Sequence, residues 1–249
     1  MKRAAACKAV ILLLSALLFC VPAFSAQAEE MTYEEENAEE VILFAETEEN
    51  LAEGVVKIED LTPVNADERL YIWQGDMSRL AVDAVTLPAN SGFTGCYQYL
   101  HNCLDNILGS KAGIELRLFT NSIITKQGYP EPTGQAKITP GFNLPSKYII
   151  HTVGPIVQGR LTKENERLLA SCYRSILELA DQNDIKTLAL CCISTGVFMF
   201  PNQRAAEIAV ETVRKYLEET GSRIKVIFNV FKDIDLMFYK YYLGEPEAE

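Results

Sequence analysis

Positive charge is in short supply in this chain: 23 Lys and Arg stand against 34 Asp and Glu, a formal net charge of −11. That balance excludes a nucleic-acid binder of the usual kind, because contacts to phosphate need a basic face. Histidine is scarcer still, with only His101 and His151 in 249 residues. No internal repeat is visible. The apolar run Ala9 to Phe24 falls short of the roughly 20 residues that a membrane span requires, and Pro22 interrupts it. An even, dispersed set of cysteines is also missing. Of seven, Cys7 and Cys20 lie near the amino terminus, leaving the odd number Cys96, Cys103, Cys172, Cys191 and Cys192. A secreted scaffold held by disulfides is thereby disfavoured.

What is present begins with a targeting segment. Lys2, Arg3 and Lys8 precede the apolar run, and Ala26-Gln27-Ala28 offers a small-residue cleavage site, so residues 1–28 are expected to be a cleaved signal peptide. Export follows from that reading, with an uncleaved amino-terminal membrane anchor as the alternative. Cleavage takes the net charge from −11 to −14 and leaves no membrane segment. Residues 29–60 then hold 13 acidic residues and the single Lys57, the composition of a solvated, flexible tether. Val41 to Phe44 interrupts it as one turn of helix able to dock on the domain. The domain itself is expected over residues 61–249.

From Asp67 the pattern becomes regular. Arg69 to Gln74 alternates as a half-buried strand, and Val82 to Leu87 is a second strand ended by Pro88. Helical spacing runs from Leu104 to Lys126, broken around Gly109 and Gly113. Lys147 to Val153 is a strand stopped by Gly154-Pro155. A 3.6-residue period through Leu168, Leu169, Cys172, Ile176, Leu179 and Ala180 gives a helix over Lys163 to Gln182. Thr187 to Ile193 is an apolar strand, in which Cys191 and Cys192 read as free thiols of a buried element. Pro201 opens a helix at its first position, running to Glu219. Arg223 to Val230 and Ile234 to Tyr242 complete the series. Alternating strands and helices imply an α/β fold with a central, largely parallel sheet and helices on both faces.

In such sheets ligands bind beyond the carboxyl ends of the strands. The densest chemistry lies after the second strand: Cys96, His101 and Cys103, spaced Cys-x4-His-x-Cys. Thiolate and imidazole are ligands that Zn2+ prefers, and three of them leave a fourth position open, as in catalytic sites. A buried cysteine pair beside an ordinary histidine is the plainer alternative. Ser194-Thr195-Gly196-Val197-Phe198, between a strand and a helix, can aim several N–H groups at an anion such as a diphosphate, or can be a simple turn. Asp76 can accept from an exocyclic amine or cap a turn. Asn90 suits a ribose hydroxyl, an attacking water or a turn of positive φ. Asp105 can orient a ligand or merely begin a helix. His151 reads as a strand histidine satisfied by backbone, with a fourth metal ligand as its less ordinary role.

These blocks, in this order, resemble a macrodomain, and specifically the zinc-dependent branch of the Appr-1''-p processing family. The similarity runs through Trp73 to Met77, Val82 to Asn90, Gly95 to Asn106, Ala112 to Arg117, Gly134 to Thr139, Lys147 to Pro155 and Cys191 to Asn202. It spans Asp67 to Leu243. The resemblance implies a three-layer α/β/α domain that takes ADP-ribose, or a mono-ADP-ribosylated protein, and hydrolyses the bond to the modified side chain as a monomer. It implies that Asp76 and the Met77 backbone meet the adenine. Asn90, Cys103, Leu104 and Asp105 would meet the distal ribose, and Ser194, Thr195, Gly196, Val197 and Phe198 the diphosphate. Cys96, His101 and Cys103 would hold Zn2+, and Asn90, Cys103 and Asp105 would carry the catalysis. The chain departs from the family where Leu87-Pro88 replaces an Asn-Ala pair and Leu108 a common histidine. A non-catalytic ADP-ribose reader and a zinc-stabilised interaction module are the competing readings.

Overall fold

The computed structural model describes residues 54–64, 67–98 and 101–244. The expected signal peptide, most of the acidic tether and the Val41 to Phe44 turn lie outside them. Thirteen strands and helices follow in order. They are β1 (Val56–Lys57), β2 (Leu70–Gln74), β3 (Leu80–Ala81), β4 (Ala84–Pro88), α1 (Leu104–Ala112), α2 (Ile114–Gln127), β5 (Ala136–Pro140), β6 (Tyr148–Thr152), α3 (Lys163–Gln182), β7 (Thr187–Leu190), α4 (Asn202–Thr220), β8 (Lys225–Val230) and α5 (Asp233–Leu243).

Six strands form one sheet in the order β2-β8-β7-β4-β6-β5, all parallel except β5, which runs antiparallel to β6. Central strands are apolar along their whole length because helices cover both faces. In β4, Ala84 to Leu87 are all buried, and in β8 Val226 to Val230 are. Helices α3, α4 and α5 pack side by side, whereas α1 and α2 pair with each other and lie against β4 and β5. Among the described residues no helix is long and apolar enough to cross a membrane.

Helix α3 shows how local chemistry sets these elements. Thr162 caps its start by accepting from Asn165 N at 3.1 Å, while Asn165 Oδ1 accepts from Thr162 N at 3.1 Å. This reciprocal arrangement satisfies two otherwise orphan donors. The buried stripe Leu169, Cys172, Tyr173, Ile176, Leu177 and Ala180 then faces the sheet.

Several expectations are corrected. The break between α1 and α2 falls at Gly113 alone, and Gly109 is buried inside α1. The strand begun at Thr187 ends at Leu190, so Cys191 to Ile193 already belong to the following loop. Pro88 is the last residue of β4 rather than its stop; lacking an N–H, it is tolerated at the end of the ladder. Pro201 caps α4 from outside instead of occupying its first position. Edge strand β5 had no expected counterpart. The domain also starts before residue 61: Val56 and Lys57 pair with Leu80 and Ala81, and Ile58 is buried, so the last residues assigned to the tether are part of the fold.

Candidate metal centre and ligand cleft

Because β2, β8, β7, β4 and β6 are parallel, their carboxyl ends share one edge of the sheet, and five loops leave it together. Ile156, Val197, Met199 and Phe231 stand exposed on these loops.

The loop after β4 carries the cysteines and histidine. Cys96 Sγ lies 3.2 Å from His101 Nδ1, and the ligand atoms of Cys96, His101 and Cys103 all fall within 4.8 Å of one another. Two sulfurs and one imidazole so close suit a tetrahedral ion that keeps a fourth position free. Helix α1 fixes two of the three. Cys103 is its N-cap, accepting from Asn106 N at 3.4 Å, and Asn106 Nδ2 donates to the His101 carbonyl at 3.0 Å. Burial pushes the Cys103 thiol up to about 11, with the Cys96 thiol beside it adding to the effect. A bound cation reverses that preference by favouring thiolate.

Asn90 is spent on the same loop. Its Oδ1 accepts from Gly92 N at 3.0 Å and from Thr94 Oγ1 at 3.2 Å, and its Nδ2 donates to the Gly95 carbonyl at 3.1 Å. Both ends of the carboxamide therefore shape the approach to Cys96. Asp105 lies in the first turn of α1, buried, and accepts no hydrogen bond from a described residue. It lines a cavity of about 20 Å³ with Leu87, Phe93, Arg117, Thr120 and His151. Burial raises its carboxyl to about 6, against the pull of the Arg117 charge. Leu104 is half-buried against the core.

His151 stays outside the metal cluster. It is buried in β6, its Nε2 2.9 Å from Thr139 Oγ1 and its ring 5.4 Å from that of Phe93. A side chain thus satisfies it, not backbone. Burial lowers it to about 3, so it is neutral.

After β2, Asp76 accepts from Ser78 N at 3.0 Å and from Ser78 Oγ at 2.7 Å through one oxygen. Its other oxygen meets Lys111 Nζ at 3.0 Å, and Lys111 also reaches Ser78 Oγ at 2.8 Å. Burial works to raise this carboxyl, but the bonds from Ser78 and Lys111 outweigh it and hold it below the ordinary value. The residue is both a turn cap and an ionised acceptor. The Met77 side chain is buried in the core.

After β7, Phe200 N donates to the Ser194 carbonyl and Met199 N to that of Gly196, each at 3.0 Å, while Val157 N donates to the Phe198 carbonyl at 2.9 Å. The N–H groups of Gly196, Val197 and Phe198 are left without an acceptor among the described residues. Thr195 Oγ1 is turned to the Cys192 carbonyl. Ser194, at φ +66°, holds a buried Oγ with no partner. Gly154, after β6, permits this approach, since a Cβ there would stand 2.2 Å from Ser194 Oγ. Unpaired N–H donors just before the start of a helix are groups to which an anion can bind.

The structure thus brings Cys96, His101 and Cys103 together, places Asn90 in their loop and Asp105 in the cavity beside it, and leaves the Gly196, Val197 and Phe198 N–H groups unpaired among the described residues. Sequence reasoning passed over Lys111 and Arg117. Arg117 was visible only as the end of the Ala112 to Arg117 block, and nothing marked Lys111.

The Macro domain family profile matches residues 87–209. A protein-ADP-ribose hydrolase of Staphylococcus aureus (strain MSSA476) is 54% identical over 187 residues, covering 75% of this chain and 70% of its own length. One of Treponema medium is 50% identical over 190 residues, covering 75% and 72%. Among solved structures, the Trypanosoma brucei macrodomain in complex with ADP is similar with a TM-score of 0.67 and 31% identity, over 76% of this chain and 77% of that one.

Proposed function

Because the chain belongs to the Macro domain family, we propose that it is a zinc-dependent protein-ADP-ribose hydrolase, which releases ADP-ribose from modified protein side chains. The observation that carries this reading is the cluster of Cys96, His101 and Cys103 on the loop that leaves β4 at the carboxyl edge of the sheet.

Each part of ADP-ribose has a complementary group. Asp76, kept ionised and pinned by Ser78 and Lys111, accepts from the exocyclic amine of adenine. The free N–H groups of Gly196, Val197 and Phe198 donate to the diphosphate. Asn90 keeps the loop from Gly92 to Gly95 folded, so that Cys96 comes up to His101 on the ribose side. The donor set of two thiolates and one imidazole fits Zn2+. Held by Cys96, His101 and Cys103, a zinc ion would supply Lewis acidity, either to lower the pKa of a water or to polarise a ribose oxygen. Asp105 acts from below the loop, through the cavity it shares with Arg117.

One observation favours the second reading, a reader that binds without turnover. The Asn90 carbonyl oxygen already accepts from Gly92 and Thr94 and its amide donates one hydrogen to Gly95, which leaves a single N–H, and no acceptor, to orient an attacking water. Incubation of the purified chain with a mono-ADP-ribosylated protein, with and without a chelator, separates the two. Release of ADP-ribose that stops on chelation and returns with zinc is expected. Release that ignores the chelator removes zinc from the account, and ADP-ribose binding without release establishes the reader. Export is proposed from residues 1–28, and a mature amino terminus at Glu29 by mass spectrometry is its check.

A further inference from the structure

Arg117 sits on α2, two elements away from the strand that launches the metal loop, yet its side chain spans four consecutive residues of that loop. Nη1 donates to the Thr94 carbonyl at 3.3 Å, and Nη2 to the Cys96 carbonyl at 3.5 Å. Its Cζ lies 4.5 Å from the ring centroid of Tyr97. Between these contacts Gly95, at φ +77°, makes room. A Cβ there would stand 2.6 Å from Nη1. Guanidinium is planar, permanently charged and able to donate in two directions while stacking on a ring, a combination that lysine cannot reproduce.

The three ligands are held unequally without this contact. His101 and Cys103 are tied to α1 through Asn106. The backbone on both sides of Cys96 is instead tied by Asn90, through Gly95, and by Arg117, through Thr94 and Cys96. Asp105, in the same cavity as Arg117, offers a compensating negative charge beneath the guanidinium. We propose that Arg117 is a positioning residue that sets Cys96 opposite His101 and Cys103, so that the three ligands are assembled before an ion arrives. The proposal rests on the reading of that cluster as a metal centre.

The test compares the full chain with its Arg117→Met and Arg117→Lys variants by titration with Zn2+ against a chromophoric chelator and by absorption after Co2+ loading. Thiolate-to-cobalt charge-transfer bands report how many sulfurs are bound. Arg117→Met is expected to weaken Zn2+ binding about 10- to 100-fold, the usual cost of losing an outer-shell partner, and to diminish the thiolate bands. Arg117→Lys is expected to recover little of either, and it decides the matter if Arg117→Met does not fold. Wild-type affinity and an unchanged cobalt spectrum in a variant of native circular dichroism overturn the role of Arg117 alone. A wild-type chain that takes up neither ion overturns the metal reading and this proposal with it.

Discussion

The loops after β7 and after β4 leave the same edge of one sheet, yet they are built by different means. Main-chain bonds close the far half of the first, Phe200 N to Ser194, Met199 N to Gly196, and Val157 N to Phe198 from the neighbouring loop, while the hydroxyls of Thr86, Tyr173 and Thr195 fix its start. Side chains hold the second: Asn90 from within, Arg117 from α2 and Asn106 from α1. A loop of the first kind offers N–H groups that any residue carries, so its chemistry tolerates substitution where space allows. A loop of the second kind depends on a few named side chains and loses its shape in larger steps.

The largest expected effect lies in the side-chain-held loop. Cys103→Ala removes a ligand and the N-cap of α1 together. Metal affinity should fall beyond the roughly 100-fold seen for outer-shell losses, while ADP-ribose affinity measured by calorimetry stays near wild type. Equal loss of both would show that the two loops are not independent. Gly154→Val should do the converse. Its Cβ enters the space of Ser194 Oγ, and overpacking of about 1–3 kcal/mol corresponds to about 5- to 150-fold weaker ADP-ribose binding with metal content unchanged.

Acid separates the two regions next, because His151 lies beneath the metal loop. Buried and lowered to about 3 when folded, against 6.5 as the ordinary value, it takes up a proton in the unfolded chain first. Its contribution to stability is therefore intact above pH 6.5 and lost as pH falls below it, by about 2 kcal/mol at pH 5. Asp105, raised to about 6, acts in the opposite sense, since its protonation below that pH favours the folded chain. The difference between urea unfolding of wild type and of His151→Gln, at pH 7 and pH 5, isolates the histidine. Equal pH dependence in both chains would refute its part. The smallest effect belongs to Lys111→Met, which removes a half-exposed partner of Asp76. A loss of at most about 1 kcal/mol is expected, up to about 5-fold in ADP-ribose affinity.

How far the sequence reached follows from the same contrast. The helix Lys163 to Gln182 was readable in the sequence, because its amphipathic period is local. The largely parallel sheet was within reach as a class, since apolar strands alternating with helices leave few arrangements. Edge strand β5 was missed. Three of its five residues are half-buried and it pairs antiparallel, so it lacks the apolar density of β4 or β8. At the site, Cys96, His101 and Cys103 were legible because their spacing is short and their ligand chemistry is rare. Arg117 and Lys111 were not, because each acts across more than twenty residues of sequence, and a charged residue on a helix ordinarily faces water. For Asn90 the expected roles were a sugar hydroxyl, a water or a turn, and its bonds to Gly92, Thr94 and Gly95 were not legible, because a carboxamide suits all of these uses equally.

X-ray absorption at the zinc edge of the purified chain tests the central claim most directly. The expected shell holds two sulfurs at about 2.3 Å and one imidazole nitrogen at about 2.0 Å, completed by one light atom from solvent. A metal-free protein, or a shell without sulfur, would contradict the account.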